Sequence, residues 1–171
     1  MEERDVFSAI RAVSRVCLLL SFLAVPTLAP ISGGASEIAL ELVGPGRSQT
    51  RSLTLEDLAA LPQVEVRTAN EFSDGVVAYR GPLARDVLAE LGLDRLSMVR
   101  FIAANDYYVD IQSSDFMDYD VILAMEADGK PLSRRDKGPL WLMYPISDHA
   151  ELRDPSYLRR LIWQVVRIEV L

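Results

Sequence analysis

Residues 64–82 have the sequence V-E-V-R-T-A-N-E-F-S-D-G-V-V-A-Y-R-G-P, in which two β-like runs flank a polar turn. The first run, residues 64–68, alternates apolar and polar side chains, as does a strand with one face on a core and the other in water. Gly75 permits the positive φ of a tight turn before the β-like pattern resumes at residues 76–80. This stretch predicts a β-hairpin placed directly before the chain's best predicted helix.

The turn of this hairpin carries side chains suited to binding a small ligand. Hydrogen-bond donors and acceptors come from Asn70, Glu71, Ser73 and Asp74, and Phe72 supplies an apolar face. We therefore expect any ligand site of this protein to lie here. The alternative interpretation, an ordinary hairpin loop, remains open.

The composition is that of one globular domain with a real core. The chain has 171 residues, of which 50% are hydrophobic and 25% are charged, so disorder and a coiled coil are not expected. Its formal charge of −7 arises from interspersed acidic and basic residues, with no basic stripe to follow a phosphate backbone. Nucleic acid is therefore not expected as a partner.

The N-terminus has the features of a secretory signal peptide. An apolar run over residues 16–25 follows three arginines, Arg4, Arg11 and Arg15. Small residues come next, and Ala29 or Ala35 is the expected cleavage position. The run of about ten residues is short of the roughly 20 that span a bilayer. A signal peptide over residues 1–35 is predicted, and an uncleaved anchor extending to Ile31 is the alternative.

Cys17 is the only cysteine, and it lies inside the apolar run without a lipobox context, so lipidation is not expected. After cleavage, the predicted domain over residues 36–171 has no cysteine. Disulfides, cysteine-ligated zinc, iron–sulfur clusters and thiol nucleophiles are thereby excluded from it. The expected location of this domain is the periplasm.

Two helices are predicted besides the strands. The first helix is predicted within residues 52–62. Thr54 is its N-cap and Asp57 occupies the third helical position, which gives a near capping box. The second has Pro82 in its first turn and ends at Gly92. Its buried face is expected to consist of Leu83, Val87, Leu88 and Leu91.

The remaining pattern indicates an α+β domain with mixed or antiparallel sheets. A third short helical segment is predicted around residues 157–160. Seven or eight strands are expected, over residues 37–43, 64–68, 76–80, 99–103, 107–111, 120–125, 138–145 and 162–170. Strands and helices do not alternate regularly, which argues against a doubly wound sheet.

Common catalytic motifs are missing from the sequence. It contains no G-x-G-x-x-G, P-loop, H-E-x-x-H or G-x-S-x-G pattern. The only histidine, His149, lies beside Asp148 and Glu151 and is a candidate general base, although a solvated loop residue is the favoured interpretation. Aromatic residues near strand ends are the better candidates, because they can clamp a flat heterocycle. They are Tyr79, Tyr107, Tyr108, Trp141, Tyr144 and Trp163.

Five segments in register resemble the sulfite-oxidase-type molybdopterin-binding domain. They are L-T-L-E-D-L at 53–58, Y-R-G-P-L at 79–83, L-A-M-E to G-K-P-L at 123–132, G-P-L-W-L-M-Y-P at 138–145 and V-R-I-E-V at 166–170. The resemblance covers about residues 37–171. It implies a sulfite-oxidase-like fold of mixed β-sheets with a few short helices.

The resemblance also implies what this chain lacks. Catalytic members carry a molybdenum-ligating cysteine at the position that matches about Thr68, and a hydroxyl is not a soft donor. The arginine usually found in the Gly-Pro-Leu strand is Trp141, and the lysine before the final strand falls near Trp163. These changes favour a pterin ring as ligand, and molybdenum cofactor is not expected.

The leading hypothesis from this resemblance is a periplasmic, non-catalytic pterin-binding protein. Its expected partner is a membrane-bound receptor, or the periplasmic part of a protein that makes or degrades cyclic di-GMP. Trp141 is expected to stack on the ring, and Phe72 or Tyr144 to close the pocket. The full set of expected ligand-binding residues is Asn70, Glu71, Phe72, Arg80, Asp106, Tyr107, Trp141, Tyr144 and His149. The acceptors for the amino-pyrimidine edge are expected among Asn70, Glu71 and Asp106.

Two alternatives stay open. One is a molybdopterin-dependent oxidoreductase that holds its metal through the dithiolene alone. The other is a protein-interaction module whose ligand site is vestigial.

Overall fold

The computed structural model describes residues 37–171, and the predicted signal peptide lies outside the described residues. Eleven strands follow in chain order: β1 (Ile38–Val43), β2 (Thr50–Thr54), β3 (Gln63–Ala69), β4 (Val76–Pro82), β5 (Met98–Ala103), β6 (Tyr108–Gln112), β7 (Ile122–Ala124), β8 (Glu126–Ala127), β9 (Lys130–Pro131), β10 (Trp141–Met143) and β11 (Val165–Val170). Four α-helices accompany them: α1 (Leu55–Ala60), α2 (Ala84–Val87), α3 (Ser114–Asp118) and α4 (Pro155–Leu158). Short 3-10 helices lie at Pro45–Arg47, Ala89–Leu91 and Ala150–Arg153.

The strands form three sheets. The largest has the order β2-β1-β11-β5-β6, the second has the order β3-β4-β8-β9, and β10 pairs with β7. The pairing of β1 with β11 is parallel, whereas the other strand pairs are antiparallel. This arrangement confirms the predicted α+β class with mixed sheets.

The predicted hairpin is confirmed as β3 and β4. Its register runs from Gln63 opposite Pro82 to Ala69 opposite Val76, and Gly75 in the turn has a φ of +79°. The inward face of the hairpin includes Val66 and Tyr79, which are buried. The apolar residues of the alternating pattern therefore lie on the side of the hairpin that packs against the core.

The predicted capping box of α1 is also confirmed. The Asp57 backbone N–H donates to Thr54 Oγ1 at 3.1 Å, and the Thr54 backbone N–H donates to Asp57 Oδ2 at 2.8 Å. Each end of this pair satisfies a backbone donor that the first helical turn leaves free.

The helix predicted from Pro82 to Gly92 is wrong in its start and its continuity. Pro82 is the last residue of β4, because it remains paired opposite Gln63. The helical turns then divide into α2 and the 3-10 helix that follows it. Gly92 ends them in the left-handed conformation, with a φ of +63°, as predicted. The apolar face is buried as predicted, through Leu83, Val87, Leu88 and Leu91.

The last strand starts later than predicted. It begins at Val165, because Gln164 has a φ of +52°, which interrupts an extended chain. A register shift between Val165 and Arg167 then exposes Val166 and Arg167 together. Val165 and Ile168 consequently face the same core, which the simple alternation did not predict. Three further strands, β2, β8 and β9, were not predicted, because they are short or largely polar.

Gly81 allows two strands of different sheets to approach closely. A Cβ on this residue would overlap the backbone carbonyl oxygen of Leu123 in β7 and lie within 2.9 Å of the Ala124 Cα. The contact joins the hairpin to the interior pair of β7 and β10.

Within residues 37–171, no helix is both long and apolar enough to cross a membrane.

Candidate functional site

A cavity of about 340 Å³ lies where three connecting segments meet, and we call it the aromatic pocket. The β3–β4 loop contributes Glu71 and Phe72. The end of β5 and the β5–β6 turn contribute Ala103, Asn105 and Tyr107. The segment between α4 and β11 contributes the remaining wall: Leu158, Arg159, Leu161, Ile162 and Trp163. Small-molecule sites commonly have this combination of size, apolar lining and a few polar groups.

Aromatic rings dominate the mouth of the pocket. The rings of Phe72 and Trp163 meet edge to face, with centroids 5.1 Å apart, and each residue is 36% exposed. Tyr107 is 50% exposed, and its hydroxyl donates to the Arg159 carbonyl oxygen at 3.5 Å. These residues keep π-faces accessible to a flat ligand.

The polar groups of the pocket include one acid and one base without a protein counter-ion. Within residues 37–171, neither Glu71 nor Arg159 forms a salt bridge, although nine other arginines do. Asn105 supports the turn, because its Oδ1 accepts from the Tyr107 backbone N–H at 3.2 Å. A carboxylate and a guanidinium are therefore available to pair with a polar ligand.

Asn70 shapes the hairpin loop instead of lining the pocket. Its Nδ2 donates to the Tyr79 hydroxyl at 3.1 Å, and its Oδ1 accepts from the Phe72 backbone N–H at 2.8 Å. These bonds hold Phe72 in place. The expected hydrogen bond from Asn70 to the ligand is not favoured by this arrangement, since both ends of its amide already have partners.

Trp141 lies behind the pocket and not on its surface. It is only 3% exposed, and its Nε1–H donates to the Leu161 carbonyl oxygen at 3.1 Å. Its ring packs edge to face on Tyr79, at a centroid distance of 5.4 Å, and lies 6.4 Å from those of Phe72 and Trp163. The expectation that Trp141 stacks on the ligand is therefore corrected, because the accessible indole is that of Trp163.

Tyr144 is fully buried and does not close the pocket. Its hydroxyl donates to Asp115 Oδ2 at 2.7 Å. Burial, together with the charge of Asp115, raises the pKa of Tyr144 well above its usual value, so the phenol stays protonated. The role expected for Tyr144 is corrected to that of a core hydrogen-bond donor.

Three further expected residues lie elsewhere. Arg80 points away from the core and pairs with Glu126 at 3.5 Å. Asp106 lines a separate open groove on the five-stranded sheet. His149 lies in another cleft, with its Nδ1 3.7 Å from Glu151 Oε1. Of the nine expected residues, the structure thus brings together Glu71, Phe72 and Tyr107.

Seven residues of the pocket were not expected from the sequence, and three of them have polar or aromatic side chains: Asn105, Arg159 and Trp163. Trp163 carried a signal, since it was an aromatic residue and it stood where the family has a lysine. Asn105 belonged to a predicted turn. Arg159 had no distinguishing local pattern.

The residues around Thr68 offer oxygen and nitrogen groups but no thiol. Thr68, at the position that matches the metal-ligating cysteine, is 0% exposed and does not line the pocket. Its hydroxyl oxygen accepts from the Ser147 backbone N–H at 3.1 Å, and the Ala69 backbone N–H donates to Ser147 Oγ at 3.0 Å. Among residues 37–171, no group of three histidine, cysteine, aspartate or glutamate side chains is placed to hold a metal ion. No soft donor is available for molybdenum there.

Comparison with known proteins gives one family and one fold. A family model described as "Oxidoreductase molybdopterin binding domain" matches residues 28–148. No curated protein matches. Solved structures do match, among them the crystal structure of the sulfane dehydrogenase SoxCD from Paracoccus pantotrophus, with a TM-score of 0.59 and 19% sequence identity. The similarity covers 79% of this chain but 38% of that one, so the chain spans well under half the length of the SoxCD chain.

Proposed function

Because the chain belongs to the oxidoreductase molybdopterin-binding domain family, we propose that it binds a pterin in the aromatic pocket and catalyses no reaction there. The family indicates a pterin-type ligand, and the likeness to SoxCD confirms the predicted fold. The observation that carries the proposal is the pocket lining, which offers flat aromatic faces and a carboxylate but no thiol.

The pocket residues divide the binding of a pterin between them. Phe72 and Trp163 pack against the ring, which gains from aromatic contact beyond the area it buries. The Glu71 carboxylate accepts from the paired N–H groups of the amino-pyrimidine edge. A ligand without those groups would leave the carboxylate desolvated and unpaired, so this contact selects for the pterin edge.

The proposed setting of this binding is sensory. Support comes from the N-terminal signal-peptide pattern, which directs the domain to the periplasm, and from the resemblance to secreted pterin-binding members of this fold. The partner is then a membrane-bound receptor, or the periplasmic domain of a protein that makes or degrades cyclic di-GMP. Occupancy of the pocket would be the signal that this partner receives.

Replacing Trp163 with alanine is expected to weaken pterin binding by about 30-fold. Truncating an aromatic residue at a binding hot spot costs about 2 kcal/mol, and each 1.4 kcal/mol is tenfold in Kd. The measurement is isothermal titration calorimetry with oxidised and tetrahydro pterins. The matched control is Tyr108→Ala, since Tyr108 is as exposed as Tyr107 but lies beneath Arg100, outside the pocket.

The titrations test separately whether the protein binds pterin and whether pterin binds in the aromatic pocket. If wild-type protein gives no binding signal with either pterin, the proposed function is wrong. If wild-type protein binds and Trp163→Ala binds equally well, pterin binds elsewhere on the chain. If the affinity for a partner protein changes neither when pterin is added nor when Trp163 is replaced, the result would instead support an interaction module.

The family description favours a second candidate, a molybdopterin-dependent oxidoreductase that holds its metal through the dithiolene alone. Protein purified from its native compartment is expected to contain far less than one molybdenum per chain, because the residues around Thr68 supply no soft ligand. Elemental analysis measures this directly. A stoichiometric molybdenum content would establish the oxidoreductase and overturn the non-catalytic proposal.

A further inference from the structure

One wall of the aromatic pocket is made by a segment without regular structure. This pocket-wall segment, residues 158–163, joins α4 to β11 and carries both Arg159 and Trp163 into the lining. Its local hydrogen bonds form a tight turn, in which the Arg160 N–H donates to the Tyr157 carbonyl at 2.9 Å and the Ile162 N–H donates to the Arg160 carbonyl at 2.8 Å. At its β11 end the segment is also bonded to β10, since the Leu142 N–H donates to the Ile162 carbonyl at 2.9 Å and Trp163 forms an antiparallel bridge with Trp141. The end nearest α4 has only the local turn, which is a weak restraint, so its position depends on side-chain contacts.

The strongest of those contacts is made by Arg160, which does not line the pocket. Its guanidinium forms a salt bridge with Asp115 and lies over the Tyr157 ring, 4.3 Å from the centroid. Asp115, in α3, also accepts the hydroxyl of Tyr144. Consecutive residues of the wall thus differ in role, since Arg159 lines the pocket and Arg160 is bound into the protein behind it.

Asp115 is the only buried carboxylate among residues 37–171. Burial lowers the pKa of Arg160, but the charge and hydrogen bonds of Asp115 and Tyr144 more than offset this and leave the pKa raised. Arg160 therefore remains charged opposite Asp115. Buried ion pairs contribute little net stability compared with apolar groups, and fixing one conformation is a use that some systems show.

We propose that Asp115 and Arg160 are positioning residues, whose partly buried ion pair holds the pocket-wall segment so that Arg159 and Trp163 line the aromatic pocket. This inference rests on the proposed function for its effect on pterin affinity. The geometry that supports it is independent of the ligand. Three contacts hold this segment from behind: the Arg160 guanidinium on Asp115, the Leu161 carbonyl on the Trp141 indole, and the Ile162 carbonyl on the Leu142 N–H. Loss of the Asp115–Arg160 ion pair frees the end of the segment nearest Arg159.

The test compares Arg160→Gln with wild type in two measurements. Acrylamide quenching of tryptophan fluorescence needs no ligand and reports the exposure of Trp163, because Trp141, the chain's other tryptophan, is buried. Quenching is expected to increase in the variant. The Kd for oxidised and tetrahydro pterin is expected to rise at least about tenfold, as for a disturbed contact network.

Two controls separate positioning from lost stability. Arg100→Gln removes a different arginine–aspartate pair, that of Arg100 with Asp110, which has two hydrogen bonds of 2.7 and 2.8 Å and lies outside the pocket. Val99→Ala lowers thermal stability because it removes two buried methyl groups from β5. Both controls are expected to keep wild-type quenching and pterin affinity.

Arg160→Lys keeps the charge but loses the planar fork, so its affinity and quenching are expected between those of wild type and Arg160→Gln. If Arg160→Gln does not fold, Arg160→Lys serves as the test of the positioning role. If the folded Arg160 variants show the same quenching and the same pterin affinity as wild type, the inference is overturned. Increased quenching in a protein that binds no pterin would support the positioning role while the proposed function failed.

Discussion

Gly81→Ala is expected to destabilise the domain by at least about 3 kcal/mol, at or above the upper end of ordinary overpacking. The added Cβ would overlap the Leu123 carbonyl oxygen and come within 2.9 Å of the Ala124 Cα. Both neighbours are backbone atoms, so no side-chain rotation relieves the clash. Since domains are stable by only about 5–15 kcal/mol, a large part of the stability would be lost.

Urea unfolding followed by circular dichroism measures this loss. The control is Gly75→Ala in the same hairpin, where the new Cβ meets nothing within 4 Å but the φ of +79° is unfavourable for alanine. That control is expected to cost about 1–2 kcal/mol, the penalty of a left-handed residue. Equal costs for the two variants would show that β4 and β7 can separate without penalty.

Trp141→Ala is expected to cost about 3–5 kcal/mol of folding free energy, as other buried large aromatic residues do. The substitution removes the indole from the contact with Tyr79 and leaves the Leu161 carbonyl without its donor. Trp163→Ala should cost much less stability, because that side chain is partly exposed. The two tryptophan variants are therefore expected to separate, with stability lost in one and pterin affinity in the other.

Thermal unfolding and pterin titration of the two purified variants provide the comparison. Trp141→Ala protein that is as stable as Trp163→Ala protein but fails to bind pterin would place the buried indole at the ligand after all. A Trp141→Ala protein that is insoluble is consistent with the expected loss of stability. Trp141→Phe, which keeps a ring in the core, then measures how much of the effect is packing.

Local patterns predicted the parts of this fold that local physics controls. Alternation in residues 64–68 and 76–80 predicted β3 and β4, and Thr54 with Asp57 predicted the capping box. The apolar face ending at Gly92 was predicted correctly because its residues are close in the chain. Pro82 was misassigned because its pairing with Gln63 depends on a partner nineteen positions away.

The site was predicted less completely because long-range contacts decide which aromatic residue is accessible. The run at 138–145 is apolar throughout, so nothing in it distinguishes a core face from a ligand face. The indole of buried Trp141 is bonded to the Leu161 carbonyl, twenty residues on, and Phe72 meets Trp163, which is 91 residues further along the chain. Glu71, Phe72 and Tyr107, which line the candidate pocket, stay predictions as ligand contacts, and they were selected because turns between strands commonly carry such contacts.

The parallel pairing of β1 with β11 determines when this protein can fold. It joins residues 41–43 to residues 167–169 in the centre of the five-stranded sheet. The sheet stays divided into β1–β2 and β5–β6 halves until β11 is available to join them. Such long-range closure is slow relative to local contacts. The five-stranded sheet is therefore completed only after residues 165–170 have been synthesised, and β1 must wait for a partner more than a hundred residues further along the chain.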